Sequence, residues 1–248
     1  MLRDLERENV SVRKVIYFSG CTANYIEPEI GQAAVEVLLK NKLQPLFPEQ
    51  GCCALPQLSY GRIGSFKKRA EANIKSLLEF DSDIVTACTS CALTLKREYP
   101  ARLGSNKARE ISQRTYDIME YLYRLKQRGE LLTSFNSLNL SVLYHTPCHL
   151  KVLGADVAEQ RLELLRLVPG MKVNQIDRGC CGMGGTFGMK SSYYAISMAI
   201  GKPLFEEIKQ RAPDLVLTEC PACKQQIEHG TGLKVSHPIL LFKKAYGI

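Results

Sequence analysis

The ten cysteines of this chain fall into two sets of five that repeat one spacing. The first set is Cys21, the pair Cys52 and Cys53 in "QGCCAL", and Cys88 and Cys91 in "ACTSC". The second is Cys148, the pair Cys180 and Cys181 in "RGCCGMGG", and Cys220 and Cys223 in "ECPAC". Counterparts lie 127, 128, 128, 132 and 132 residues apart, and no cysteine is left over. A register of this kind marks an internal duplication. Whatever the fold, it must gather a lone cysteine, an adjacent pair and a CxxC into one place, and do so twice.

The segments between the cysteines repeat as well. "VIYFSGC", "LQPLFPEQG" and "SDIVTACTSC" read as strands that run toward the first set, and "LSVLYHTPC", "MKVNQIDRG" and "DLVLTECPAC" read as strands that run toward the second. Helical spacing separates them: Ile30, Ala34, Val37 and Leu38, then Phe66, Ala70, Ile74, Leu77 and Leu78 in the first half. Leu162, Leu165 and Arg166, then Ala195, Met198, Ala199 and Phe205, play the same part in the second. Alternating strands and helices predict an α/β protein of two pseudo-symmetric repeats, each a small parallel sheet flanked by helices. Ligands of such sheets gather beyond the carboxyl ends of the strands, where every cysteine group falls. Ile111, Tyr116, Ile118, Tyr121, Leu122 and Leu125 predict one broad helical face before the polar connector "LTSFNSLN". The expected divisions are a charged segment over 1–14, a first repeat over 15–136 and a second over 137–248.

Adjacent thiols constrain the chemistry. A structural zinc site takes four ligands in two short-spaced pairs. Each half has a single CxxC, two contiguous thiolates strain around one tetrahedral ion, and a fifth would be idle. Joining the two CxxC groups into one zinc site would leave six cysteines unused. A multi-iron cluster lets neighbouring thiolates ligate different irons or bridge them. The CxxCxxCxxxCP run of an ordinary cubane is absent, so five thiolates per site point to an open, rearranged iron–sulfur cluster, with zinc as the competing reading. Gly182, Gly184, Gly185 and Gly188 allow a loop to bring backbone N–H groups close to sulfur; a flexible turn would explain the glycines but not the cysteines beside them.

Composition excludes other classes. No apolar run reaches the roughly 18 residues that cross a bilayer, and the charged start "MLRDLERENVSVRK" has no signal-peptide core. The expected compartment is cytoplasmic, where thiols stay reduced. The formal charge of +8 counts every thiol as neutral, and becomes −2 with ten thiolates. The basic residues are not interleaved with aromatics, so no nucleic-acid partner is expected. No P-loop, no GxGxxG after a strand and no GxSxG occurs.

The duplicated spacing, with "YHTPCHLKVLG", "CCGMGGTFGMK", "IGKPLFEEIK" and "ECPACKQQIEHGTGLKVSHPILL", resembles the cysteine-rich CCG domain family. That family includes the heterodisulfide reductase B subunit and the iron–sulfur proteins of lactate and glycolate oxidation. The resemblance runs from about Val15 to the end and is strongest to the branch formed by the C subunit of anaerobic glycerol-3-phosphate dehydrogenase. It implies two iron–sulfur clusters of the non-cubane [4Fe-4S] type, one held by Cys21, Cys52, Cys53, Cys88 and Cys91, the other by Cys148, Cys180, Cys181, Cys220 and Cys223. It also implies a non-catalytic electron-transfer subunit that takes electrons from flavoprotein dehydrogenase subunits toward a membrane quinone, peripheral on the inner face of the membrane through its partners. The branch's ferredoxin-like iron–sulfur region is not in this chain and is expected as a further domain or a separate chain. The alternatives are a heterodisulfide reductase-like thiol–disulfide reductase, or a subunit of a lactate or glycolate oxidase complex. Ala54 stands where the family has glycine, which predicts a differently set first loop.

His145 and His149 bracket Cys148, and each is placed either to donate a hydrogen bond to a cluster sulfur or to satisfy the turn backbone. His237, before Pro238, is expected to cap a helix, and His229 and Lys190 to face solvent. Tyr25 and Tyr144 are expected to be packing residues.

Overall fold

The computed structural model describes residues 13–248, so the expected charged segment lies almost wholly outside the described residues. The chain divides into two compact units, the first ending at Leu132 and the second spanning Thr133–Gly247.

In the first unit the order is β1 (Arg13–Tyr17), α1 (Gly20–Tyr25), α2 (Pro28–Lys40), β2 (Leu43–Leu46), α3 (Leu55–Ser59), α4 (Ile63–Leu77), β3 (Asp83–Thr86), α5 (Thr89–Leu93), a π-turn over Thr94–Glu98, α6 (Tyr99–Leu103), α7 (Asn106–Arg114), β4 (Thr115–Asp117) and α8 (Ile118–Gln127). The four strands are parallel in the order β2-β1-β3-β4. Helices cover such a sheet on both faces, so its central strands are continuously apolar: Val15, Ile16 and Tyr17 are fully buried, as are Ile84 and Val85. Phe66, Ala70, Ile74 and Leu77 form the buried stripe of α4.

The second unit repeats the plan: β5 (Leu140–His145), α9 (Cys148–Lys151), α10 (Val157–Arg166), β6 (Met171–Ile176), a 3-10 turn over Phe187–Met189, α11 (Ser191–Arg211), β7 (Leu215–Leu217), α12 (Pro221–Thr231), β8 (Val235–Ser236) and α13 (Pro238–Tyr246). Its strand order is β6-β5-β7-β8, again all parallel. In both sheets the winding reverses between the first strand and the third, and the crevice outside such a switch point is the natural ligand site of an open parallel sheet.

Three expectations change. The expected strands stop short of the lone cysteines: β1 ends at Tyr17 and β5 at His145, and Cys21 and Cys148 lie in the first turn of α1 and α9. The single helix expected across Ile111–Leu125 is broken by β4, which pairs Thr115, Tyr116 and Asp117 with Ile84, Val85 and Thr86. Asp117 then starts α8, its Oδ1 accepting the N–H groups of Met119 and Glu120, both at 3.0 Å; an Asp at that place is a helix start, not a helix interior. In α11 the expected apolar face is out of phase. Ala195 and Ala199 are exposed, and the buried residues are Ser197, Gly201, Leu204, Phe205 and Ile208.

Candidate metal centres

Every cysteine group stands between a strand end and the start of a helix. Cys21 is the second residue of α1, Cys53 stands two residues before α3, and Cys88 is the N-cap of α5, which carries Cys91 in its first turn. Cys148 opens α9, and Cys220 caps α12, which carries Cys223. Unpaired N–H groups of a first helical turn favour negative charge, so these places suit thiolates.

The five thiols of the first set form one connected group. Cys21 contacts Cys52, Cys52 contacts Cys53, Cys53 contacts Cys91, and Cys91 contacts Cys88. In the second set Cys181 lies 3.2 Å from Cys223 through sulfur, Cys180 and Cys220 are the neighbours of these two, and the Cys148 thiol feels Cys180, Cys220 and Cys181. Exposure repeats too: Cys21 and Cys148 are exposed, while Cys53, Cys88, Cys91, Cys181, Cys220 and Cys223 are buried; the pairs differ, Cys52 being half-buried and Cys180 exposed.

The electrostatics follow the same order in both units. The thiols of Cys52 and Cys91 hydrogen bond to Cys53 and hold it well below the ordinary thiol range, and the hydrogen bond from Cys223 lowers Cys181. Cys91 is pushed up by Cys53, Cys88 and burial, and Cys223 by Cys181, Cys220 and burial. Cys21 is raised by its bond to Cys52 and then by burial, and Cys148 by burial and then by the neighbouring sulfurs. Each set therefore has one thiol that ionises readily, while Cys21, Cys52 and Cys91 in the first set and Cys148 and Cys223 in the second are held protonated by burial and by their neighbours. A multivalent cationic group reverses that balance as it replaces the protons.

The loops after the pairs supply donors. The N–H of Ala54 lies 3.4 Å from Cys52 Sγ, and that of Gly182 lies 3.3 Å from Cys180 Sγ. Ala54 adopts φ +72° against +89° for Gly182. The first loop does differ beyond this point, since α3 begins at Leu55 whereas the second unit runs through a glycine loop to the 3-10 turn at Phe187–Met189; at the turn itself alanine accepts the same left-handed backbone because its methyl finds a fully buried place in the core. Gly182 has no such freedom, since a Cβ there would stand 2.0 Å from the Ser197 carbonyl oxygen. Gly184 and Gly185 also have positive φ, but they are exposed and turn the loop, without a hydrogen bond to a cysteine.

Further polar residues brace these loops. Asn73, buried in α4, accepts the Gly51 N–H at 2.8 Å and donates to the Cys52 carbonyl oxygen at 3.0 Å. In the second unit Ser197 donates to the Gly182 carbonyl oxygen at 2.8 Å and accepts from Gln226 Nε2 at 2.8 Å. The sequence signal for all three was a polar residue on the buried side of a helix. Gln50 ties the first loop to β1, its amide donating to the Tyr17 carbonyl oxygen and accepting from the Ser19 N–H, both at 2.9 Å.

In the second unit the sulfurs of Cys148, Cys180, Cys181 and Cys223 border a cavity of about 210 Å³, with His145 and Thr146 on its wall. His145 is buried with Nδ1 3.3 Å from Thr218 Oγ1, and burial followed by the charge of Lys151 lowers it to about 4, so it is a neutral ring at pH 7. His149 is half-buried, and its backbone N–H is the group that meets the Cys148 sulfur. His237 caps α13, its Nδ1 accepting the Ile239 N–H at 3.1 Å. His229 is exposed and hydrogen bonds with Tyr194, and Lys190 lies over the Tyr193 ring. Tyr144 is buried, whereas Tyr25 is 84% exposed and packs on nothing comparable, contrary to expectation.

Among the described residues, no three His, Cys, Asp or Glu are set to hold a single metal ion. The residues do fit a larger thiolate-ligated group. Soft donors converge from three strand ends, N–H groups face them, and the buried hydroxyls of Thr89, within the first CxxC, and Thr146, on the wall of the second cavity, have no hydrogen-bond partner within the protein. No described helix is long and apolar enough to cross a membrane.

The family model of the cysteine-rich CCG domain matches this chain twice, over residues 15–96 and 142–228. The C subunit of anaerobic glycerol-3-phosphate dehydrogenase from Escherichia coli K12 is 36% identical over 239 residues, covering 94% of this chain and 59% of the relative. The B subunit of fumarate reductase (CoM/CoB) from Methanothermobacter marburgensis is 31% identical over 94% of this chain and 46% of its own length. An uncharacterized iron-sulfur protein of Methanocaldococcus jannaschii is 29% identical over 86% of this chain and 41% of its own. The chain thus spans between two fifths and three fifths of the length of these relatives. Two matches of the domain, each enclosing one full set of five cysteines, establish that the chain belongs to the cysteine-rich CCG domain family.

Proposed function

We propose that this chain is an electron-transfer subunit holding two iron–sulfur clusters, each a non-cubane [4Fe-4S] centre. The ligands are Cys21, Cys52, Cys53, Cys88 and Cys91 in one unit, and Cys148, Cys180, Cys181, Cys220 and Cys223 in the other. The observation that carries this reading is the convergence of five thiols at each switch-point crevice. Similarity to the glycerol-3-phosphate dehydrogenase subunit supports a complex of that type. In it, flavoprotein subunits oxidise the substrate, and electrons pass through this subunit and a ferredoxin-like domain or chain toward a quinone at the cytoplasmic face of the membrane.

When bound, such clusters accept and release single electrons with little rearrangement. The protein's own part is to fix the ligands at strand ends, to aim the N–H groups of Ala54 and Gly182 at sulfur, and to keep water from the buried members of each set. His145 contributes a neutral wall, which leaves the charge of the site to the thiolates.

Protein purified without oxygen is expected to hold about eight irons and as many labile sulfides per chain, four for each centre. Cys53→Ser and Cys181→Ser are each expected to remove one of two low-temperature EPR signals and leave the other. A colourless protein containing zinc rejects the reading. A second reading, thiol–disulfide reduction at the second centre, draws support from the exposure of both Cys148 and Cys180, against Cys21 alone in the first set. It requires that the purified protein, given two electrons from reduced methyl viologen and two protons, cleave an organic disulfide to two thiols. Lack of turnover while a flavoprotein still reduces the centres leaves the relay.

A further inference from the structure

Ser19 and Thr146 occupy matching places, each two residues before the lone cysteine of its set and each buried. The Ser19 hydroxyl is engaged: it accepts from Asn24 Nδ2 at 2.8 Å and lies 3.5 Å from Gln50 Oε1. The cysteine register places Lys151 and Arg178 where Asn24 and Gln50 stand, and these two pair with Asp177 and Glu207 instead. The Thr146 hydroxyl is left with no hydrogen-bond partner within the protein, although the residue is only 2% exposed. Thr146 lies on the wall of the cavity of about 210 Å³ that Cys148, Cys180, Cys181 and Cys223 border. Its branched side chain has few rotamers, and Pro147 caps α9 directly after it, so the hydroxyl is held in place.

A buried hydroxyl is expensive to leave unpaired, and with no partner in the protein its partner must arrive in the cavity. Water alone serves poorly there, because half of the residues around the cavity are cysteines, whose thiols are weak partners. We propose that the Thr146 hydroxyl donates a hydrogen bond to a sulfur atom of the second centre. Reduction adds negative charge to those sulfurs, and a donor aimed at them favours the reduced state. Thr146 is thus a positioning residue that raises the electron affinity of the second centre without ligating it. This rests on the iron–sulfur reading above.

The test is a dithionite titration of the anaerobically purified full chain, followed by EPR, with the two centres assigned through Cys53→Ser and Cys181→Ser. Thr146→Val keeps the shape and removes the donor, and is expected to lower the reduction equilibrium of the second centre about tenfold, which is 59 mV for one electron. Thr146→Ala removes the donor without a methyl in its place and should lower the second centre in the same direction. Thr146→Ser keeps the hydroxyl and should leave the second centre within twofold of wild type. All three should leave the first centre within twofold. Loss of iron from the second centre in Thr146→Val and Thr146→Ala, with Thr146→Ser fully loaded, supports the same bond. The inference is overturned if iron and sulfide are intact yet Thr146→Val and Thr146→Ala both move the second centre less than twofold. It is equally overturned if Thr146→Ser lowers that centre, or empties it of iron, as far as Thr146→Val does. Absence of iron from the wild-type chain is a separate result that removes the underlying reading, and the inference with it.

Discussion

After the cysteine pair the first unit places Ala54 and the second Gly182, and both residues turn the chain through the same left-handed conformation to aim an N–H at sulfur. One layer further out the units part. Phe18 in the first corresponds to His145 in the second, Ala87 to Glu219, and among the described residues only the second buries an arginine. What sets the sulfur positions, the strand ends and helix starts, was duplicated faithfully; what surrounds them was not. Two sites of one ancestry thus share a geometry and differ in electrostatics, which is the layer that tunes a metal centre.

The largest way to break this comparison is to remove half of the buried ion pair. Arg161→Met leaves Glu219 buried with its charge uncompensated, at a cost of about 3–5 kcal/mol. Hydrogen exchange should show the loss in β5 and β7 and spare β1 and β3. The double variant Arg161→Met/Glu219→Ala should recover much of it, making the second unit resemble the first.

Next comes an exchange at the loops. Gly182→Ala meets the Ser197 carbonyl oxygen and a φ that alanine resists, together about 2–4 kcal/mol, with loss of iron from the second centre. Ala54→Gly relieves backbone strain but loses a buried methyl, so urea unfolding should move by no more than about 1 kcal/mol.

A further effect is confined to acid. His145 titrates near 4 in the fold and about 6.5 unfolded, so the unfolded chain binds the extra proton between these values. The contribution of the neutral ring is complete above pH 6.5 and fades as pH falls through 4, by up to about 3 kcal/mol in metal-free protein. Urea midpoints from pH 7 to 4 should show that slope in the wild type and lack it in His145→Phe, which copies the first unit.

The cysteine register and the six strands that lead to it were legible because both are local and periodic. The fourth strand of each sheet was not: Thr115–Asp117 lies inside a longer helical pattern, and only pairing with Ile84–Thr86 makes it a strand. The phase of α11 misled for a related reason. Its buried face carries Ser197 and Gly201 instead of large apolar groups, because the cysteine-pair loop packs against it. Nothing local marks Arg161 and Glu219 as partners; their pairing spans 58 residues and exists only once the sheet is formed. At Ala54 the rule that left-handed backbone prefers glycine gave way to a pocket that accepts a methyl, while the loop beyond it departs from its counterpart as alanine in place of glycine suggested.

Each set of sulfurs is drawn from three strand ends of a parallel sheet, and each lies wholly within one unit. On the ribosome, then, neither binding place exists while its CxxC is still inside the exit tunnel, yet the earlier thiols are already out and open to oxidation. If each set holds a cluster as proposed, the first becomes fillable before the second has been translated, so cofactor delivery would have a built-in order and a period in which a half-made chain needs shelter from air.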